Sequence, residues 1–240
     1  MCTPQAKHFL NFPVLFSAIT SSHPKLSNDS NFLPESLTRT RSNVQRIRAV
    51  SAVEEILPNA ARRKKDPQWR GGFSLGVDLG LSSTGVALSK GFYARPLTIL
   101  NLRGQKLELC LLEIAEKEEA DEFIIGIPKS WDGKETAQSN KVRSVAGRLA
   151  VRAAERGWRV YLLDEHGTSA EAMELMIERG LKKSSRTKTD AYAAAILLER
   201  YFSTSGLGAE IVMPKNMDLQ EKLRKGALKD IDSFPEELDG

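Results

Sequence analysis

Residues Phe73 to Lys90 read FSLGVDLGLSSTGVALSK, a stretch that joins two strand-like runs through a polar turn. The first run is apolar or small and ends at Asp78, after which Gly80 and two serines supply residues that favour turns. A second strand-like run, residues 84–88, follows at once. We therefore predict a β-hairpin that carries a carboxylate at its tip. On this stretch alone, Asp78 is equally well explained as a residue that opens the turn.

The basic charge of the chain is concentrated in its first fifty residues. The 240-residue sequence has a formal net charge of +4, and residues 1–50 hold six basic and two acidic side chains. The rest of the chain holds 29 basic and 29 acidic side chains, so it is neutral overall. This balance argues against a fold with a generally basic surface. No apolar run approaches the roughly 18 residues that span a membrane.

The first fifty residues have the composition of an organellar transit peptide. They contain seven Ser and four Thr, bear arginines and have few acids. The segment Arg48-Ala49-Val50-Ser51-Ala52 resembles a plastid processing site, so a chloroplast address is expected. A mitochondrial address and an ordinary disordered tail remain alternatives. Residues 51–72 are predicted to be a linker, because the basic run at 62–65 is typical of a solvated segment.

From residue 73 onward, strands and helices alternate. A third strand is predicted at 93–100, and apolar residues at helical spacing predict a helix at 105–118. The apolar run 122–127 suits a buried strand of a parallel sheet. The segments that follow are a loop at 128–138, a helix at 137–156, a strand at 159–163 and helices at 169–179 and 189–202. Residues 206–240 resemble a mixed-charge tail.

This order of elements is a ribonuclease-H-like arrangement, with acids at strand ends and at the start of the last helix. In open sheets of this kind, sites form outside the strand ends. Asp78, Glu165 and the first turn of the last helix are therefore expected to converge although they lie far apart in the sequence. The chain has only two cysteines, so a thiolate metal site is not available.

Four segments in order resemble the successive motifs of the YqgF family, also called RuvX, of pre-16S rRNA nucleases and Holliday-junction-resolvase-like proteins. They read GVDLGLSSTGVALS, IIGIPKSWDGKETAQSNKV, VYLLDEHGTSAEA and KTDAYAAAILLERYF. The resemblance covers about residues 73–203, within a predicted domain at 73–205. It implies an α/β ribonuclease H-like fold, with a mixed central sheet flanked by helices, and nuclease activity on structured nucleic acid.

The resemblance assigns three acids, Asp78, Glu165 and Asp190, as catalytic residues and ligands of Mg²⁺ or Mn²⁺. The chemistry agrees, because two ions held by carboxylates can activate water and stabilise the leaving oxygen of a phosphodiester. Mg²⁺ favours a few carboxylates plus phosphate oxygens over a closed protein cage. Each acid also has a structural explanation: Asp190 suits the first turn of a helix, and Glu165 suits a solvated strand end.

Five further side chains are candidates for substrate contact: Lys182, Lys183, Lys188, Asp132 and Thr168. Each has an alternative, since the lysines suit a solvated surface, Asp132 suits a turn beside Gly133, and Thr168 with Glu171 makes a helix capping box. Trp131 is expected either to stack on a base or to pack over the edge of the sheet.

One departure from the family pattern bears on activity. His166 stands where bacterial members have an arginine, and a neutral imidazole lacks the fixed fork of a guanidinium. The expected function is metal-dependent maturation of plastid 16S-type rRNA, with structured or precursor rRNA as the partner and no membrane. The alternatives are a Holliday-junction-type DNA endonuclease and a non-catalytic RNA-binding or assembly factor. An actin-like ATPase is disfavoured because only one copy of the domain fits. Either a monomer or a dimer is compatible with the sequence.

Overall fold

The structure, a computed structural model, describes residues 56–69, 71–90, 93–178, 180 and 189–226. Its centre is a sheet of six strands in the spatial order β3-β2-β1-β4-β5-β6. The strands are β1 Phe73–Leu79, β2 Thr84–Ser89, β3 Ala94–Leu100, β4 Ala120–Ile127, β5 Arg159–Asp164 and β6 Glu210–Ile211. The first three strands form an antiparallel meander, while β4 runs parallel to both β1 and β5. The two-residue β6 closes the edge antiparallel to β5.

Helices cover both faces of the sheet. They are α1 Asn59–Lys65, α2 Gln105–Lys117, α3 Ala137–Ala154, α4 Thr168–Glu178, α5 Thr189–Ser203 and α6 Met217–Lys225. Side chains alternate along β1, so Leu75 and Val77 join the core beneath α2 and α3. The next residue on the other face, Gly76, lies against α5. Asp78 has the same parity as Gly76 and therefore faces the α5 side.

The predicted mixed sheet flanked by helices, in a ribonuclease H-like α/β fold, is confirmed. The β1–β2 hairpin forms with Asp78 opposite Gly85, and β4 is buried along nearly its whole length between two parallel neighbours. Within the described residues, no helix is long and apolar enough to cross a membrane. The predicted leader, residues 1–50, lies outside the described residues.

The structure differs from the sequence-based domain boundaries on both sides of the 73–205 segment. Part of the predicted 51–72 linker is helix α1, in which Asn59 and Ala60 are buried. Part of the predicted 206–240 tail is β6 and α6, and Leu223 of α6 is buried. These segments belong to the fold because a few anchoring residues are buried, although each segment is short and largely polar.

Helix α1 is held by a buried polar network at the end of the sheet opposite Asp78. The backbone N–H of Asn59 donates to Glu122 at 2.8 Å, and its side-chain amide donates to Asp121 at 2.8 Å. The amide oxygen accepts from Arg159 at 2.9 Å. Arg159 also pairs with Asp121 at 2.6 Å, and the hydroxyl of Tyr201 donates to Glu122 at 2.7 Å. Asn59 therefore links β4, β5 and α1.

Replacing Asn59 with alanine should lower the free energy of unfolding by about 1–3 kcal/mol, because the buried amide partners of Arg159 and Asp121 are lost. Urea unfolding would measure this loss. Lys64→Ala, on the exposed side of the same helix, is the matched control and should change stability by less than about 0.5 kcal/mol. Equal effects of the two substitutions would show that α1 is not anchored through Asn59.

Candidate active site

Asp78 occupies the end of β1, where the chain turns into β2. The side chain is 8% exposed. Burial, followed by the neighbouring charge of Asp190, raises the pKa of this carboxyl to about 7. A buried carboxylate near a second acid is costly to ionise. Asp78 is therefore poorly explained as a mere turn residue, which ordinarily lies in water.

Glu165 directly follows β5 and lies over β4. Its backbone N–H donates to the carbonyl of Ile127, the last residue of β4, at 3.3 Å. A Cβ atom on Gly126 would lie only 1.9 Å from Glu165 Oε2, so the carboxylate occupies the space that a side chain would fill. Burial, followed by the charges of Asp78 and Asp164, raises the pKa of Glu165 to about 8. Oε2 is buried and has no hydrogen-bond partner.

Asp190 comes to the same edge from the first turn of α5. Ser83, in the turn between β1 and β2, donates its hydroxyl hydrogen bond to Asp190 at 2.5 Å. The sequence offered Ser83 only as a turn residue, so this contact was not predicted. Helix α5 reaches the turn because Gly85 carries no side chain: a Cβ there would lie 2.0 Å from the carbonyl oxygen of Asp190.

The three predicted carboxylates lie at one edge of the sheet, the acid edge, at the end of β1, just after β5 and beside the turn between β1 and β2. The charge of Asp190 raises the pKa of Asp78, and the charge of Asp78 raises the pKa of Glu165. Across the described part of the chain, no three His, Cys, Asp or Glu side chains stand close enough to enclose a metal ion. The acids thus form two interacting pairs that share Asp78. The chemistry of the donors fits an open Mg²⁺ or Mn²⁺ site completed by water and phosphate oxygens. The partnerless Oε2 of Glu165 fits the same interpretation.

The other predicted substrate contacts fare differently. Thr168 is 2% exposed and its hydroxyl donates to the carbonyl of Glu165 at 2.9 Å. Its hydroxyl therefore fixes the turn that carries Glu165 instead of forming the predicted capping box, and its contact with substrate stays a prediction. Asp132 lies on the surface and pairs with Lys134 at 2.8 Å, as the turn alternative requires. Lys182, Lys183 and Lys188 lie outside the described residues.

The segment around His166 is held by an arginine that the sequence did not single out. Arg200 of α5 donates to the carbonyl of His166 at 2.8 Å and to Glu171 at 2.7 Å. His166 itself is exposed, and its backbone N–H donates to Asp164 at 2.9 Å. Arg200 thus ties α4 and α5 to the turn next to Glu165.

Trp131 does not pack over the edge of the sheet, so that expectation is wrong. It is 91% exposed in the loop that follows β4. The loop is closed by backbone hydrogen bonds from Ser130 to Lys134 at 2.9 Å and from Gly133 to Ser130 at 2.8 Å. The other alternative, that this exposed indole stacks on a base, stays a prediction.

Replacing Asp78 with asparagine should stabilise the metal-free protein, and more so at about pH 8 than at about pH 5. The folded-state pKa of Asp78, about 7, lies above its unfolded value. Ionisation of Asp78 therefore lowers the stability of the protein as the pH rises from about 4 through 7. The asparagine variant lacks that loss. Thermal unfolding in the presence of a chelator measures the Tm of both proteins. The difference between Asp78→Asn and the wild type should grow by a few degrees between about pH 5 and about pH 8.

Asp132→Asn is the control for this measurement. The pKa of the exposed Asp132 carboxyl is lowered, mainly by its hydrogen bond with Lys134. Replacing this carboxyl with an amide should therefore give no gain in Tm at high pH. A difference between wild type and Asp78→Asn that stays constant with pH would contradict the raised pKa of Asp78.

Comparisons with known proteins support one family. The RuvX family model, described as Holliday junction resolvase, matches residues 72–204. A Thiobacillus denitrificans protein named "Putative pre-16S rRNA nuclease" is 36% identical over 136 residues, which cover 55% of this chain and 91% of the relative. A Cronobacter sakazakii protein of the same name is 33% identical over 139 residues, which cover 56% of this chain and 99% of the relative.

Among solved structures, T. thermophilus RuvC in complex with a Holliday junction substrate matches with 20% identity and a TM-score of 0.41. That match covers 58% of this chain and 99% of the RuvC chain. The family match spans more than half of the sequence and contains the hairpin, both buried parallel strands and helix α5. The chain therefore belongs to the RuvX family, as the resemblance of its four motifs predicted.

Proposed function

We propose that this protein hydrolyses phosphodiester bonds of structured RNA at the edge formed by Asp78, Glu165 and Asp190, with divalent metal bound there. Membership of the RuvX family and relatives named for pre-16S rRNA nuclease activity indicate a nuclease. The observation that carries the proposed site is the burial of Asp78 and of the partnerless Oε2 of Glu165 at the edge of the sheet where Ser83 holds Asp190.

Mg²⁺ or Mn²⁺ would be held by the two pairs that share Asp78, which are Asp78 with Glu165 and Asp78 with Asp190, together with water and phosphate oxygens. When bound, it would neutralise phosphate charge and lower the pKa of water. The chain's own residues prepare this site. Ser83 orients Asp190 through its hydroxyl, while Gly126 leaves room for Glu165. The raised pKa values of Asp78 and Glu165 mean that both acids must release protons before they bind a cation. Metal affinity should therefore increase with pH up to about 8.

Replacing Asp78, Glu165 or Asp190 with its amide should abolish metal-dependent cleavage in each case. The double variants should lose little more, because the members of one site act as a unit. Cleavage of a labelled RNA in Mg²⁺ measures the effect. Asp218→Asn is a matched control, since Asp218 is also an acid in the first turn of a helix but belongs to α6. It should leave the rate unchanged.

The same variants separate an enzyme from a non-catalytic assembly factor. An assembly factor that kept only the fold would bind RNA without cleaving it, and amide substitutions would not alter its binding. Full cleavage by any one of the three amide variants would remove that acid from the site.

The substrate we propose is precursor 16S-type rRNA of plastids. The names of the relatives support the rRNA, and the composition of residues 1–50 supports an organellar address. A four-way DNA junction is the second candidate, because the family description names Holliday junction resolvases. A junction has two strands to cut and requires two symmetric sites, whereas one site suffices to trim an RNA end. Measuring the cleavage of each substrate, together with the oligomeric state of the protein, distinguishes the two candidates.

Residues 1–50 should direct a fluorescent protein to chloroplasts when residues 1–60 are fused to it. Deleting residues 1–50 from the protein should leave cleavage and Tm unchanged, because these residues have the composition of a removable address and the family match covers residues 72–204. Fluorescence microscopy and thermal unfolding test the two parts separately. A fusion found in mitochondria would move the proposed substrate to that organelle, and one that stays in the cytosol would contradict the address.

A further inference from the structure

A cavity of about 230 Å³ opens beside the turn that connects β1 and β2. Three segments form its walls: the turn itself, residues 79–84; the loop before α2 with the first turn of that helix, residues 102–107; and the first half of α3, residues 138–145. Gln138 fixes one wall to another, since its side-chain amide donates to the carbonyl of Leu79 at 3.1 Å. The cavity is thus bounded by elements that hydrogen bonds connect.

The charged residues that line this cavity are both basic. Arg103 and Lys141 contribute to its walls, and none of its lining residues is an acid. Lys141 is exposed and has no ion-pair partner among the described residues. Arg103 donates to the carbonyl of Leu81, and within the same described ranges it pairs with no carboxylate. Two cations without acidic partners give the cavity a positive potential that suits an anion.

The cavity and the acid edge share one turn. Leu79, which lines the cavity, directly follows Asp78 in the sequence. Ser83 lines the cavity as well, and its hydroxyl binds Asp190. Negative and positive side chains therefore lie on adjoining sides of residues 79–84. A phosphodiester strand carries regularly spaced negative charges. If one phosphate binds at the acid edge, a neighbouring phosphate of the same strand would lie near the cavity.

We propose that this cavity binds a backbone phosphate of the nucleic-acid strand, next to the phosphate that is cleaved, through Lys141 and Arg103. The inference rests on the proposed nuclease function and adds a subsite to it. A local site of this kind suits a chain whose 29 basic and 29 acidic side chains beyond residue 50 balance each other.

Binding of a fluorescent single-stranded RNA to the full chain with Asp78→Asn, which is expected not to cleave, tests the subsite. Adding Lys141→Ala should weaken binding and reduce the slope of log affinity against log salt by about 0.7, the value for one phosphate contact on a single strand. Arg103→Ala should act similarly, and Arg103→Lys should retain more of the affinity. Lys117→Ala, at the far end of α2, should leave both affinity and slope unchanged.

A scan with single neutral methylphosphonate linkages locates the contact. One linkage next to the cleavage position should weaken binding to the protein that retains Lys141, and it should have no further effect when Lys141 is alanine. If Lys141→Ala behaves like Lys117→Ala, or if the neutral linkage weakens both proteins equally, the subsite is wrong. If the wild type cleaves RNA but Lys141→Ala does not change binding, only the subsite is overturned. If binding depends on Lys141 but the wild type does not cleave RNA, the proposed activity is overturned and the subsite is supported.

Discussion

The close approach of helix α5 to the sheet is the constraint on which the acid edge depends. A Cβ on Gly85 would lie 2.0 Å from the carbonyl oxygen of Asp190, and one on Gly76 would lie 2.5 Å from that of Ala194. Both obstacles are backbone atoms, which cannot rotate away as a side chain can. Any residue larger than glycine at these positions would push α5 outward and carry Asp190 away from Asp78. The small side chains of α5 that face the sheet serve the same approach.

The two ends of the sheet treat buried carboxylates in opposite ways. Burial raises the pKa of Glu122, but Arg159, the backbone of Asn59 and Tyr201 all oppose that shift. Glu165 receives no such help, since burial and its acidic neighbours all raise its pKa and one of its oxygens has no partner. Hydrogen-bond and ion-pair partners stabilise a buried carboxylate, whereas a cluster of like charges destabilises a fold until a cation binds. The contrast distinguishes the end of the sheet that anchors α1 from the end at which we propose the active site.

The turn of residues 79–84 organises charge on both of its sides. Ser83 orients an acid on one side, while Arg103 binds the carbonyl of Leu81 from the other. Among the described residues, neither Arg103 nor Lys141 forms an ion pair with Asp78 or Asp190. In the proposed function, this arrangement would let one strand of nucleic acid meet metal ligands and basic side chains at successive phosphates.

The sequence by itself determined the hairpin, the two buried parallel strands and the two faces of the sheet, and it predicted that Asp78, Glu165 and Asp190 lie at one edge. Those features follow from local periodicity, from turn residues and from four motifs in order. Only the tertiary structure decided that Asn59 anchors a helix, that Thr168 is buried beneath Glu165, that Trp131 is exposed, and that Arg103 and Lys141 share a cavity. Each of these depends on partners distant in the sequence, and no motif, strand end or periodic pattern marks the residues that make these contacts.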